Sequence, residues 1–214
     1  MALGTTASVH HALGDVLTSV SYLPRAAAIF HDNNDSVRED HALGNLGVDH
    51  HTLGNHAEAR ACHTAALHLH DTHGDRASAD RAHLGLARLD DHAGDHDAAL
   101  RHLLTARRLL TAVGDRDGTV SVLTELGTHH RNRDNLTEAI ELGRQACELA
   151  DELGERESQA EAHNSLGEPL LANVERVRAH AEHRFALDIS TASGNSREQA
   201  RARPASHGQA SDKR

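Results

Sequence analysis

The fold of this chain is decided by the stretch from Ala42 to Leu69, which reads ALGNLGVDHHTLGNHAEARACHTAALHL. Both halves of the stretch carry apolar or small residues three or four positions apart, which is the spacing of an amphipathic helix. Gly54 and Asn55 separate the halves, and such a pair is typical of a turn. The stretch therefore predicts two helices joined by a short turn at Gly54.

Glycine, or a residue in its place, recurs every 20 residues along the chain. Two series, each with a step of 40 residues, interleave to give this spacing. The first series comprises Gly14, Gly54, Gly94, Asp134 and Val174, and the second comprises Asn34, Gly74, Gly114, Gly154 and Gly194. A fixed period of this size marks a repeat protein, in which one helical unit recurs and stacks on the next.

The interval between Asn135 and Gly154 illustrates how each segment between turns predicts a helix. Asn135 is expected to cap its start, with Glu138 at the spacing of a capping box. Gly154 suits the left-handed conformation that often ends a helix. The apolar stripe between them comprises Leu136, Ala139, Ile140, Ala146, Leu149, Ala150 and Leu153. No segment alternates β-branched residues as a strand would, so we expect an all-α protein.

The same small and large residues return at a step of 40 residues. In the first helix of each unit these are Leu46, Leu86, Leu126 and Leu166, followed by Gly47, Ala87, Gly127 and Gly167. In the second helix they are Ala59, Ala99, Ala139 and Ala179, with Ala66, Ala106, Ala146 and Ala186. Small residues at fixed places let two helix backbones approach closely, while the leucine beside them fills the space between.

This pattern of Leu-Gly, Gly-Asp turn and paired Ala resembles the tetratricopeptide repeat, or TPR, over roughly residues 1 to 203. The 40-residue form, with joints such as Gly114-Asp115-Arg116, is similar to the repeat tails of high-GC bacterial transcriptional activators of the antibiotic-regulatory and NB-ARC classes. The resemblance implies a right-handed α-solenoid of about four to five helix-turn-helix repeats.

We expect the array to span residues 1–194, with units at about 1–34, 35–74, 75–114, 115–154 and 155–194. Its ends depart from the pattern. Pro24 removes a backbone donor from the first unit, where we expect a kinked or frayed helix. Val174 replaces a turn glycine, and Pro169 falls in the helix before it, so that turn is expected to be weak. Residues 195–214 predict a frayed helix and a disordered polar tail.

Composition excludes several classes of protein. The net charge is −10 and no basic stripe is present, so we expect no direct binding of nucleic acid. The sequence has no apolar run long enough to span a membrane and no signal peptide, which favours a cytoplasmic protein without membrane attachment. Its two cysteines, Cys62 and Cys147, fit reduced thiols in that compartment.

Catalytic signatures are missing from the sequence as well. It contains no G-x-x-x-x-G-K-[ST] phosphate-binding loop, no H-E-x-x-H zinc motif and no G-x-S-x-G elbow. Its many glycines are explained by turns instead. We therefore expect a protein that is not an enzyme and uses no cofactor.

Histidine is unusually frequent, with 21 residues against one tyrosine and two phenylalanines. Nine histidines stand where the resembled family usually has an aromatic ring: His10, His50, His56, His63, His83, His96, His130, His163 and His183. A neutral imidazole is a flat, half-polar substitute for such a ring at a helix–helix contact. We expect these imidazoles to pack with lowered pKa values, so that stability falls below about pH 6.5.

A metal site is the alternative interpretation of the histidines. The segment DDHAGDHD, from Asp90 to Asp97, places His92 and His96 near enough to share an ion. These two histidines lie on either side of Gly94, however, and a closed zinc site needs four ligands. We therefore favour a solvated acidic turn and predict no metal ligands, while a metal-binding protein stays an alternative function.

The resemblance implies a non-catalytic module that binds a protein or peptide along a concave face, which the first helices of successive repeats line. Residues projecting from those helices, away from the Leu, Gly and Ala contacts, form the candidate binding set: His41, His51, Arg81, Arg88, Asp91, His92, Arg131, Asn132, Asn164 and Glu168. Such a module fits the regulatory part of a bacterial transcription regulator. The alternative is a sensor or scaffold for a peptide signal.

Overall fold

The computed structural model describes residues 9–11, 13, 15–73 and 79–193, and these ranges are helical apart from short turns. The helices, in chain order, are α1 (Val16–Asp32), α2 (Ser36–Thr52), α3 (His56–His73), α4 (Ala79–Ala93), α5 (His96–Val113), α6 (Arg116–Asn132), α7 (Leu136–Leu153), α8 (Arg156–Ala172) and α9 (Arg176–Ser193). The described residues contain no β-strand, and the all-α prediction is confirmed. None of these helices is long and apolar enough to cross a lipid bilayer.

Every residue of the 20-residue grid that the structure describes has a left-handed backbone conformation. The glycines among them have these φ angles: 78° at Gly54, 83° at Gly94, 69° at Gly114 and 71° at Gly154. The same conformation occurs without glycine at Asn34, Asp134 and Val174, with φ angles of 54°, 60° and 64°. Gly14, Gly74 and Gly194 lie outside the described residues. The grid therefore marks one backbone shape rather than one residue type.

An aspartate that follows the turn caps the next helix in several units. The carboxylate of Asp35 accepts a hydrogen bond from the backbone N–H of Arg38 at 3.2 Å. Asp115 accepts one from the N–H of Gly118 at 2.9 Å. Each bond satisfies a backbone donor that the first turn of a helix leaves without an internal acceptor.

Helix α7 begins and ends where the sequence predicted, but its start is not capped in the predicted way. Gly154 adopts the left-handed conformation at its end. The side chain of Asn135, however, makes no capping hydrogen bond to the described backbone. Its amide nitrogen lies 3.3 Å from Nδ1 of His130 instead. Asn135 is therefore the N-cap residue by position, as predicted, but it does not cap the helix through its side chain.

Two prolines lie inside helices without ending them. Helix α1 continues through Pro24, and α8 continues through Pro169. Around Pro24, the neighbouring Leu23, Ala26 and Ala27 are buried, and this packing stabilises the helix on both sides of the lost hydrogen bond. The fraying that we expected in this helix does not occur in its described residues.

The chain divides into two compact units, Met1–Leu109 and Leu110–Arg214, with the boundary inside α5. In the first unit, α2 packs on both α1 and α3, and α3 packs on α4. In the second unit, α7 packs on both α6 and α8, and α8 packs on α9. The first helices of the repeats, α2, α4, α6 and α8, also adjoin within each unit, as α2 with α4 and α6 with α8. Candidate binding residues of consecutive repeats therefore lie on neighbouring helices.

Val174 carries backbone strain that glycine would remove. A β-branched residue in the left-handed region costs roughly 1–2 kcal/mol, of which the greater freedom of glycine in the unfolded chain offsets a part. The valine side chain is 75% exposed, so its packing contributes little. We expect Val174→Gly to raise the free energy of unfolding by about 1 kcal/mol, measured by urea denaturation with far-UV circular dichroism.

Gly154→Ala is the matched control for this prediction. No described heavy atom lies within 4 Å of the Cβ that alanine would add, so the substitution tests the backbone conformation alone. We expect a loss of about 1 kcal/mol there. If Val174→Gly were no more stable than the native chain, the strain assigned to Val174 would be absent.

Candidate binding surface

The ten candidate binding residues differ in their exposure to solvent. Four are exposed, namely His41, Arg81, His92 and Asn132. Five are half-buried, namely His51, Arg88, Asp91, Arg131 and Glu168. Asn164 is fully buried. Nine of the ten candidates are therefore accessible in whole or in part.

Asn164 does not project to solvent as we expected. Its Oδ1 atom lies 3.2 Å from Nδ1 of His183, on the neighbouring helix α9. The equivalent positions in the earlier repeats, Gly44, Leu84 and Thr124, are buried as well. This position belongs to the repeat core, and Asn164 therefore cannot contact a ligand from the surface.

Two arginines of α4 lie against the preceding helices in the first unit. The Cδ atom of Arg81 is 3.5 Å from the place where a Cβ on Gly44 would stand, so the side chain passes close to α2. Arg88 lies near His63 of α3, and its positive charge contributes to the lowered pKa of that imidazole. Both cations therefore lie where α4 meets the repeat before it.

The carboxylates of α2 face histidines. Helix α2 has three acidic residues, and each has an oxygen within 3.0 Å of an imidazole nitrogen, in the pairs Glu39–His31, Asp40–His70 and Asp49–His11. Asp40 and Asp49 are buried in these contacts. Each acidic side chain of α2 therefore has an imidazole beside it.

Three imidazole rings form a row in the first unit. His56, at the start of α3, has its ring centroid 4.2 Å from that of His92 and 5.5 Å from that of His51. His56 thus connects two candidate binding residues that belong to α2 and α4. The sequence predicted that His56 takes the place of an aromatic ring at a helix–helix contact, and its packing against His51 and His92 agrees with that prediction.

His92 and His96, the pair that could share an ion, have different neighbours. The ring of His92 packs on His56, whereas Nδ1 of His96 lies 2.9 Å from a carboxylate oxygen of Asp91. The two imidazoles therefore serve separate contacts. This geometry does not support an ion shared between them.

In the second unit, the structure brings three candidate residues together. Arg131 of α6 forms an ion pair with Glu168 of α8. Its Nη2 atom also donates a hydrogen bond to Oδ1 of Asn132 at 3.1 Å. The opposite charges of Arg131 and Glu168 compensate each other, so this part of the surface presents little net charge to a ligand.

His63 of α3 occupies a space between two glycines. A Cβ on Gly47 would lie 2.6 Å from Nε2 of His63, and a Cβ on Gly85 would also collide with the ring. His63 is 1% exposed, and its Nδ1 atom has no hydrogen-bond partner among the described residues. Burial, with the charges of Arg88 and His51, lowers the pKa of His63 to about 4. This is the neutral, packed imidazole that the sequence predicted.

The other histidines in aromatic places divide into two groups. His163 and His183 are buried. The remaining six are half-buried: His10, His50, His56, His83, His96 and His130. Burial alone would lower the pKa of His163, but the Glu182 carboxylate at 2.6 Å from Nδ1 and the charge of Asp151 raise it. The predicted lowering of the pKa is therefore wrong for His163.

A polar cluster that the sequence interpretation did not single out lies on α3, α4 and α5. The Nδ1 atoms of His83 and His102 are 2.7 Å apart. Nε2 of His102 is 3.7 Å from the buried Asp90 carboxylate, to which Arg60 donates a hydrogen bond at 2.6 Å. Burial lowers the pKa of His102, an effect that Arg101 and Arg60 reinforce and Asp90 opposes. The sequence does contain a sign of this cluster. When the repeats are aligned, His83 and His102 stand where the next repeat has Leu123 and Leu142.

Both cysteines are free thiols, as expected. Cys147 is buried and Cys62 is half-buried. Burial raises the pKa of both thiols, with nearby carboxylates such as Glu58 and Glu182 adding to the effect. Neither residue has the lowered pKa of a reactive cysteine.

Comparison with known proteins agrees with the repeat architecture. A family profile for the tetratricopeptide repeat matches residues 40–112 and 75–152, which together span just over half of the chain. Comparison of the sequence with curated proteins finds no match.

Solved structures with similar folds come from several kinds of protein. A Rap protein complexed with Competence and Sporulation Factor has a TM-score of 0.85 at 11% identity, over 94% of this chain and 56% of that one. A thermophilic TPR protein of Thermus thermophilus has a TM-score of 0.69 at 18% identity, over 95% and 96% of the two chains.

A signal transduction ATPase with numerous domains from Pyrococcus horikoshii, which has a tetratricopeptide repeat sensor, has a TM-score of 0.65 at 15% identity, over 95% of this chain and 35% of that one. At these identities the likeness concerns the fold. The chain thus spans just over half of the Rap protein and about a third of the ATPase. With its repeat pattern, its helix pairs and the matching family profile, the chain belongs to the tetratricopeptide repeat family.

Proposed function

We propose that this chain is a non-catalytic binding module, which holds a protein segment or peptide against the first helices of its repeats. The observation that carries the proposal is the division of α2 and α4 into two faces. Their small and apolar residues, such as Ala42, Gly47 and Leu86, are buried. Their polar candidates remain exposed or half-buried on adjoining helices of one unit. A surface built in this way is available to a ligand without any rearrangement of the core.

Among the candidate residues of α2 and α4, the exposed cation Arg81 favours a ligand with acidic groups. The three carboxylates of α2 face imidazoles, whereas Arg81 and His41 are exposed. An acidic peptide would therefore meet the guanidinium of Arg81 on α4 and the imidazole of His41 on α2. Because such contacts are exposed, their contribution is expected to weaken with added salt.

A regulatory role is the finer form of this proposal. The solved Rap protein is complexed with Competence and Sporulation Factor, and the Pyrococcus ATPase is described with its repeats as a sensor. Both proteins extend well beyond the length that this chain covers. By analogy, we propose that this chain senses a peptide or protein signal, as the repeat part of a bacterial transcription regulator in the cytoplasm would do.

A peptide-display selection against the full chain tests the proposal. We expect the selected peptides to be acidic and to shift the amide resonances of α2 and α4. Arg81→Glu should weaken the binding of a selected peptide about tenfold or more, because it replaces attraction by repulsion. Arg108→Glu is the matched control, since Arg108 is an exposed arginine on α5, the second helix of the same repeat. Equal losses in both variants, or peptides without acidic residues, would contradict the proposal.

A further inference from the structure

When the repeats are aligned, one pair of equivalent positions has different residue types from one repeat to the next. The pair joins a residue of a first helix to one on the second helix that follows it, 19 positions later. At a step of 40 residues the pairs are Leu43 and Cys62, His83 and His102, Leu123 and Leu142, and His163 and Glu182. Leu123 and Leu142 are both buried, so an apolar pair is compatible with this place in the repeat. The two pairs that contain histidine therefore bring titratable groups to a place that leucine side chains can also fill.

The His83–His102 contact depends on a single proton. Two ring nitrogens can approach to 2.7 Å only if one carries a proton and the other offers its lone pair. The Asp90 carboxylate, held by Arg60, lies on the other side of His102 and favours a proton on its Nε2 atom. Nδ1 of His102 is then the acceptor, and Nδ1 of His83 is the donor.

This arrangement accepts one further proton but not two. The first can add to Nε2 of His83, which leaves the hydrogen bond between the rings intact. A second must add to Nδ1 of His102, where it places two N–H groups and two positive charges face to face. Arg60 and Arg101 oppose that second charge as well, while Asp90 favours it. Protonation of both rings therefore breaks the contact between α4 and α5.

We propose that the His83–His102 pair is an acid-sensitive contact between α4 and α5, which holds while at most one ring is charged and separates when both are. The contact supports the repeat at neutral pH, and its stabilising contribution declines as the pH falls below about 6.5, the usual pKa of histidine, because the unfolded chain then takes up protons that the folded pair resists.

The equivalent pair in the second unit has the opposite response. Nδ1 of His163 lies 2.6 Å from Glu182, and its Nε2 lies 3.5 Å from Asp151. A protonated His163 is attracted to both carboxylates, so this contact strengthens in acid. Its contribution is present at low pH and is lost as the pH rises through the raised pKa of His163. Acidification therefore weakens α5 in one unit while it stabilises α9 in the other.

Hydrogen–deuterium exchange on the full chain tests this proposal. After correction for intrinsic exchange rates, we expect the amides of α5 to exchange about tenfold faster at about pH 5 than at about pH 7. His102→Glu recreates the His163–Glu182 pair in the first unit. In a His63→Leu background, which removes the acid response expected from that buried imidazole, it should abolish the acceleration that remains. The reciprocal change, Glu182→His, should introduce acid-accelerated exchange in α9.

An apolar variant separates a folding defect from a loss of proton sensitivity. His83→Leu combined with His102→Leu copies the Leu123–Leu142 pair and should remain folded with no acid acceleration at this contact. If α5 of the native chain showed no acceleration, the proposal would be wrong. The same conclusion would follow if His102→Glu responded to acid in the same way as the native chain.

Discussion

Gly47→Ala is expected to lower the free energy of unfolding by about 1–3 kcal/mol, because the added methyl group overpacks the repeat core. In an open position of a helix, the same substitution would stabilise by roughly 1 kcal/mol, since alanine is the better helix former. Here the new Cβ would lie 2.6 Å from Cε1 and Nε2 of His63. The ring has little room to move away, because it is buried and also lies close to Gly85.

Two controls make this prediction specific to the contact with His63. Gly44→Ala lies on the same helix, where the new Cβ would meet Arg81 at an ordinary 3.5 Å, and it should leave stability unchanged or slightly raised. The double variant Gly47→Ala with His63→Leu copies the equivalent Ala87 and Leu103 pair of the next repeat, so it should recover most of the loss. Urea denaturation compares all three variants, and equal stability of Gly47→Ala and the native chain would contradict the prediction.

Acidification is expected to destabilise the chain through His63 by about 2 kcal/mol between about pH 7 and about pH 5. Burial lowers the pKa of His63 in the folded chain to about 4, whereas the unfolded value is about 6.5. A group with a depressed histidine pKa stabilises the fold while it is neutral. That stability is complete above about pH 6.5 and is lost as the unfolded chain takes up a proton that the folded chain refuses.

The effect is measured as the difference between the native chain and His63→Leu at each pH. Leucine is the residue at the equivalent position 103, so the variant should keep its fold and lose this pH dependence. His163 opposes the native response, because its raised pKa contributes stability in acid. Parallel stability curves for the two proteins would show that His63 is not the source of the acid loss.

Much of the fold follows from the sequence because the turns impose a backbone requirement that glycine satisfies most easily. The periodic glycines therefore predict the turns and the helix ends, including Gly154 at the end of α7. The exceptions were harder to predict. Asn34 and Asp134 have short polar side chains that tolerate the left-handed region, whereas Val174 is held there by the helices on either side.

The binding surface was less predictable, because periodicity identifies a helix face but not the partners of each side chain. The polar side chain of Asn164 favoured an exposed position, but it is buried against His183. Arg131 and Glu168 are 37 positions apart and still form one ion pair. Such contacts depend on the packing of consecutive repeats, and a single repeat read alone does not contain them. The His83–His102 pair becomes visible only when the repeats are aligned with one another.

The left-handed turns also restrict how the length of this chain can change during evolution. Each turn redirects the backbone so that the next helix meets the small residues of its neighbour, and the described turns between Asn34 and Val174 lie 20 or 40 residues apart. An insertion of a few residues within a helix would move its small residues out of that register. We therefore expect homologous chains to grow or shrink by duplication or deletion of whole blocks of about 40 residues.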